Sequence, residues 1–262
     1  EIVNSVLATL KKFAVPEVYG FINKKKCQEE AGSCEVLKLW VNGGYPLGNH
    51  TYSHKSLNKV SAEEFLQDLT DNEKTLAEMG SSFDWHYFRY PFLHEGDNLE
   101  KRNKVRKHLK EEGYTIAQVT DDFEDWAWNN PYARCKDKKD LASVARLRML
   151  FLRSAMARLE LDKAISDKLF GRPIYHVLLL HLGAFDAEIL PELLQAYKDK
   201  GVEFVGLAEA AKDPVFNQDP GIFGKDDDFP FQVLKARGLT LKDLGLTDKA
   251  TLLSELRDFC KK

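Results

Sequence analysis

The chain has 262 residues, 44% hydrophobic and 30% charged, with a net charge of -3. That length can bury a sizeable core, as one large α/β domain or two small ones. The charge balance offers no general attraction for nucleic acid or anionic membrane, and no apolar run is long enough to span a bilayer.

The opening Glu1-Ile2-Val3-Asn4 has neither a basic nor an apolar leader segment, so no signal peptide is expected there. Ile2, Val3, Val6, Leu7, Leu10 and Phe13 recur at helical spacing and predict a helix over 2–13 that Pro16 stops. Val18 to Ile22 reads as a buried strand, Cys34 to Trp40 as a short amphipathic helix, and Tyr45 to His50 as a short strand entering a polar loop. Cys27 and Cys34 flank a polar, turn-prone loop. That spacing suits a local disulfide and an oxidising compartment, the alternative being two free thiols. With no CxxC pair, a cysteine zinc site is not expected.

Ser61 with Glu64 three residues later forms a capping box, and the helix it opens runs to about Met79 with Gly80 as its stop. His86 to Arg89 is strand-like, 97–112 is a basic helix closed by Gly113, and Tyr114 to Val119 is a strand. A long helix is predicted over 139–170, and Ile174 to Leu180 is read as the most apolar strand. Helix 188–200, strand 202–205 and helix 207–212 follow. Residues 213–247, rich in Asp, Pro and Gly, read as a surface arm, and 248–259 as a closing amphipathic helix. Strands alternating with helices predict a parallel sheet with helices outside, as an open sheet or a barrel. In such folds functional residues collect at the C-terminal ends of strands.

Four segments carry candidate chemistry. His50-Thr51-Tyr52-Ser53-His54 sets two imidazoles four apart, a spacing that can point both at one metal; the plainer reading is two hydrogen-bonded histidines. In Arg89-Tyr90-Pro91-Phe92, Pro91 stiffens a loop that could aim the Phe92 N–H into a cleft; the alternative is a strand-ending turn with a surface Arg. Asp122-Phe123-Glu124-Asp125-Trp126-Ala127-Trp128 puts carboxylates beside two indoles, fit to orient a charged group and stack a sugar, or else a loop anchored by its tryptophans. Leu179-Leu180-His181 ends a buried apolar run in an imidazole, which could equally be only hydrogen-bonded.

Taken together and in this order, the four segments resemble the polysaccharide deacetylases of carbohydrate esterase family four, the NodB-homology domain. The H(S/T)xxH motif matches at His50 to His54, RxPF/Y at Arg89 to Phe92, DxxDW at Asp122 to Trp126, and LxH at Leu179 to His181. The resemblance covers roughly residues 1–212 as the deacetylase domain and leaves 213–262 as a C-terminal arm and helix packing on it. It implies an α/β fold, a distorted (β/α) barrel of about seven parallel strands. It also implies that His50 and His54 bind a divalent metal, usually zinc, that acidifies a water and polarises the acetyl carbonyl. The Phe92 N–H would help hold the oxyanion, and His181 would protonate the departing amine with Asp125 keeping its pKa high. Trp126 and Leu179 would wall the acetyl pocket, and Arg89 would hold the general base.

One motif departs from the family. An Asp-Asp pair ending the family's first strand supplies the general base and the third metal ligand, and residues 1–262 offer no match to it; Asp68, Asp71 and Asp84 lie in other contexts. That pair and its strand are expected just before Glu1. The implied function is N-deacetylation of a cell-wall amino-sugar polymer of peptidoglycan or chitin type, in the periplasm or outside the cell, with polysaccharide as partner and no nucleic acid. Alternative readings are a catalytically degenerate carbohydrate-binding protein, a scaffolding α/β domain, and an amidase acting on a small cyclic substrate.

Overall fold

The computed structural model describes residues 1–29, 32–79, 82–224, 227–248 and 253–261. In chain order its elements are α1 Ile2–Lys12, β1 Gly20–Ile22, α2 Lys24–Glu29, α3 Ser33–Asn42, β2 Leu47–Asn49, α4 Ala62–Met79, β3 Tyr87–Phe88, α5 Leu99–Glu111, β4 Thr115–Ile116, α6 Asn129–Asp137, α7 Leu141–Phe170, α8 Ala184–Asp199, α9 Leu207–Ala210, α10 Phe229–Ala236 and α11 Leu253–Leu256. The chain divides into two units. One holds Glu1–Val15, Val119–Phe204 and Gly238–Lys262; the other holds Pro16–Gln118 and Val205–Arg237.

In the second unit four strands pair in parallel in the order β1-β2-β3-β4. Sequential parallel order requires a crossover between each pair, and α2 with α3, α4 and α5 supply them. The register sets Ile22 beside Asn49 and Asn49 beside Phe88, so the C-terminal ends of the strands align where His50 and Arg89 follow. Ser61 caps α4 by accepting the Glu64 N–H at 3.1 Å, as its sequence predicts. The apolar face of α4 (Phe65, Leu69) then packs with Leu57, Phe88, Val105, Leu109 and Tyr114 into one core. Gly48 is dictated by space: a Cβ there would lie 2.6 Å from the Phe21 ring and 2.8 Å from the Tyr87 carbonyl oxygen.

The first unit is mostly helical. The buried stripe Val3, Val6, Leu7 and Leu10 of α1 packs on α8, and Ser5 Oγ donates to the Ala187 carbonyl at 3.4 Å. Phe151 on α7 is the hub of an aromatic cluster, with ring centroids 5.0 Å from Phe123, 5.4 Å from Trp128 and 5.3 Å from Phe185. Edge-on contacts of this kind add to the area they bury. A disulfide joins Cys135 of α6 to Cys260, with Cα atoms 5.2 Å apart. In the other unit Cys27 and Cys34 are bonded as the loop spacing predicts, with Cα atoms 4.7 Å apart.

The α/β class holds, with corrections. Of about seven strands expected, four pair as a sheet among the described residues. Ile174 to Leu180 is not a strand: it meets the chain at a single parallel bridge, Asp121↔Leu178. Part of its bonding goes to a side chain instead of a ladder, Thr120 Oγ1 accepting the Val177 N–H at 2.7 Å. Residues 202–205 likewise form no strand. The expected helix over 248–259 appears as α11 followed by a turn, and its residues 249–252 lie outside the described residues. Three helical segments escaped the sequence pattern: α2, α6 with Pro131 in its first turn, and α10, capped by Asp228.

Candidate functional site

The candidate residues fall into two groups, one in each unit. In the sheet unit, β2 ends at Asn49 and the chain turns through His50 to His54. Thr51 has φ 61° and His54 φ 58°, and the loop after β3 repeats the device with Phe92 at φ 59° and Leu93 at φ 55°. In the helical unit Glu124, beside Asp125, has φ 59°. A β-branched or bulky residue at positive φ is strained, at a cost on the order of 1–3 kcal/mol each. Five of the eight non-glycine residues at positive φ among the described residues lie in these three motif loops, so backbone strain concentrates where the chemistry is expected.

The surroundings hold the His50 loop in that shape. Asn49 is fully buried; its Nδ2 donates to the Leu69 carbonyl at 3.2 Å and to the Tyr114 hydroxyl at 2.9 Å. Its Oδ1 accepts the Thr51 N–H at 3.0 Å and Asn72 Nδ2 at 3.0 Å. Asp68 accepts the Ser53 N–H at 3.0 Å and the Ser53 hydroxyl at 2.7 Å, while Asn23 Nδ2 donates to the His50 and Thr51 carbonyls at 2.6 and 3.0 Å. A buried polar network of this kind favours one conformation, although the buried Thr51 hydroxyl has no hydrogen-bond partner among the described residues. Asn49, Asp68 and Asn72 brace this loop, a part that the sequence pattern did not assign to them. The available signal was polar residues four apart on the otherwise apolar face of α4.

His50 Nδ1 lies 2.7 Å from the Arg89 carbonyl oxygen. A carbonyl only accepts, so Nδ1 carries the proton, and in the neutral ring Nε2 is the lone-pair nitrogen, the form a divalent metal takes. The His54 ring centroid lies 4.8 Å from that of His50, and Phe92 meets His54 edge-on at 4.4 Å. This donor set fits two imidazole ligands. A catalytic zinc normally has three protein ligands, and among the described residues no group of three His, Cys, Asp or Glu side chains is placed to hold a metal ion. Arg89 is buried, its Nε donating to the Ala117 carbonyl at 3.2 Å and its guanidinium lying 4.3 Å from the Phe21 ring centre. The Leu93 and His94 N–H groups donate to the Tyr90 and Pro91 carbonyls at 3.1 Å each, clamping the turn around Phe92.

In the helical unit Asp125 and His181 meet as their expected roles require. Asp125 is fully buried; its Oδ1 lies 2.7 Å from His181 Nδ1 and its Oδ2 accepts the His181 backbone N–H at 2.6 Å. The His181 side chain is 47% exposed. Burial pushes the imidazole pKa down, but the hydrogen bond and charge of Asp125 outweigh this, helped by Asp122 and Asp186, and the net shift is upward. Trp126 is 54% exposed in the turn that begins at Asp125, an indole available to a sugar ring. Leu179 is half-buried, and its N–H donates to the Asp121 carbonyl at 3.0 Å. Trp128 is instead a buried anchor against Phe151. Asn129 and Asp186, joined by a 2.7 Å hydrogen bond, were also missed; their only sequence signal is polarity beside aromatic residues.

A family model described as polysaccharide deacetylase matches residues 1–117. The peptidoglycan-N-acetylglucosamine deacetylase of Bacillus cereus is 31% identical over 91 residues, which is 35% of this chain and 30% of that protein's length. Among solved structures, the wild-type BA3943 protein of Bacillus anthracis, a CE4 family pseudoenzyme, superposes with a TM-score of 0.56 at 17% identity, covering 80% of this chain and 60% of that one. A family 4 carbohydrate esterase from Streptomyces lividans gives 0.52 at 16% identity, covering 80% and 88%. At these identities the structural likeness is one of fold. Residues 1–117 match the polysaccharide deacetylase family model, and the chain has the α/β fold of the family 4 carbohydrate esterases.

Proposed function

We propose that the protein is a metal-dependent hydrolase that removes N-acetyl groups from the amino sugars of a cell-wall polysaccharide of peptidoglycan or chitin type. The observation that carries this reading is the Asp125–His181 pair. An imidazole raised in pKa by a buried carboxylate, yet 47% exposed, keeps its proton to higher pH than an ordinary histidine and can deliver it to a leaving amine.

His50 and His54 would hold the metal, zinc being the expected one. When bound, a divalent metal would acidify water and polarise a carbonyl. The Arg89 carbonyl would orient His50 for this, and the Phe92 N–H, in a turn with φ 59°, would help hold a developing oxyanion. Trp126 and Leu179 would bound the substrate, and Arg89 would steady the general base. The Cys27–Cys34 and Cys135–Cys260 disulfides support a periplasmic or secreted location.

A second reading, a carbohydrate-binding protein that has lost catalysis, is favoured by one observation: two imidazoles without a third ligand among the described residues. The BA3943 protein of similar fold is itself described as a pseudoenzyme. Acetate release from N-acetylglucosamine oligomers in the presence of zinc separates the two. The first reading expects release that disappears in His181→Ala; oligomer binding without release would replace it with the second.

A further inference from the structure

We propose that Asp186, held by Asn129, is a positioning residue for His181: a further carboxyl, beside Asp125 and Asp122, that acts on the acid–base state of the imidazole through its charge. The inference rests on the reading of His181 as the general acid.

His181, Leu182 and Gly183 lead directly into α8, whose first turn carries Asp186. Asp186 is 6% exposed. Its Oδ2 accepts Asn129 Nδ2 at 2.7 Å, and its Oδ1 is buried with no hydrogen-bond partner among the described residues. Asn129 is itself fixed, its Oδ1 accepting the Phe185 N–H at 3.0 Å. Gly183 makes room for it: a Cβ at that position would lie 2.1 Å from Asn129 Oδ1. The sequence around α8 thus builds a dedicated seat for one carboxyl and leaves one of its oxygens unsatisfied.

An ionised carboxylate in such a seat is costly. Burial, and then the negative charge of Asp125, push the Asp186 carboxyl up to about 7, against the Asn129 hydrogen bond and the pull of His181. Other charges near α8 are engaged elsewhere: Arg148 of α7 pairs with Glu188 and Glu192, and Lys136 of α6 with Glu188. From α1, Ser5 donates to the Ala187 carbonyl. Asp186, three residues past the His181–Gly183 link in the first turn of α8, thus shares its field with Asp125 and His181, with Asp122 acting on the same imidazole. Raised in this way, Asp186 keeps its proton to higher pH than an ordinary carboxyl; once ionised, its charge joins that of Asp125 in holding His181 protonated. The device prolongs the acid form of His181 into the pH range where an amine leaving group needs it.

NMR titration from about pH 4 to pH 9 tests this, with His181→Gln used to assign the imidazole. In the wild-type chain the Asp186 carboxyl carbon should titrate near 7. A midpoint in the ordinary carboxylate range overturns the proposal without any variant. Asp186→Asn keeps the shape and can still accept from Asn129; in it the His181 midpoint should move to lower pH, and superimposable His181 curves overturn the proposal. The same variant should shift the alkaline limb of acetate release to lower pH. A shifted His181 titration in a protein that releases no acetate supports the coupling while removing the deacetylase reading, so the two failures are distinguishable.

Discussion

The His50–His54 loop and the Asp125–His181 pair both fix an imidazole, by different means. The first uses backbone: two left-handed residues, a carbonyl from Arg89, and a buried network of Asn49, Asn72 and Asp68 behind it. The second uses one side chain, Asp125, which takes both the ring nitrogen and the backbone N–H of His181. The difference follows from the chemistry each is read to perform. A metal ligand must present a lone pair, and a backbone carbonyl on its other nitrogen fixes the tautomer that does so. A general acid must carry a proton, so its partner should be an anion.

The largest effect expected from this contrast comes from replacing His50 or His54 with Ala. Each should abolish zinc binding in equilibrium dialysis and acetate release with it, while leaving the His181 titration in place. Retained stoichiometric zinc would break the assignment of the loop. A smaller effect distinguishes the two disulfides. In the chain-entropy account, stabilisation grows with the loop closed. Separations of 125 and 7 residues then imply that Cys135–Cys260 contributes more than Cys27–Cys34, by about 2.5 kcal/mol. Urea unfolding of the Cys135→Ser and Cys27→Ser chains would show this as a larger loss for the former; equal losses would mean that strain or residual structure dominates. Smaller again, Asp68→Ala leaves the Ser53 N–H and hydroxyl without their acceptor, and should cost about 1–3 kcal/mol. It should also weaken zinc binding with no change in the His181 titration. Wild-type zinc affinity would show that the loop does not need this support.

Particular residues show how far this was legible beforehand. The helix α4 could be read because Ser61, Glu64 and the apolar stripe agree. The motif histidines could be read from residue types in order. The strain at Thr51 and Phe92 could not, because nothing local favours positive φ in a β-branched or aromatic residue; the fold around them imposes it. Ile174 to Leu180 misled because apolar β-branched runs look alike whether or not a neighbour completes the ladder. The Cys135–Cys260 bond spans 125 residues, a contact that spacing does not reveal.

The central claim is that Asp125 makes His181 an acid, and the pH–rate profile of acetate release in Asp125→Asn tests it most directly. His181 has a raised pKa in the folded chain, so the stability it contributes is present below its unfolded value and is lost as pH rises through the folded one. Removing the Asp125 charge lowers the folded pKa. The alkaline limb should then move to lower pH and activity at neutral pH should fall, with the zinc content unchanged. An alkaline limb that stays where the wild-type chain has it would contradict the account.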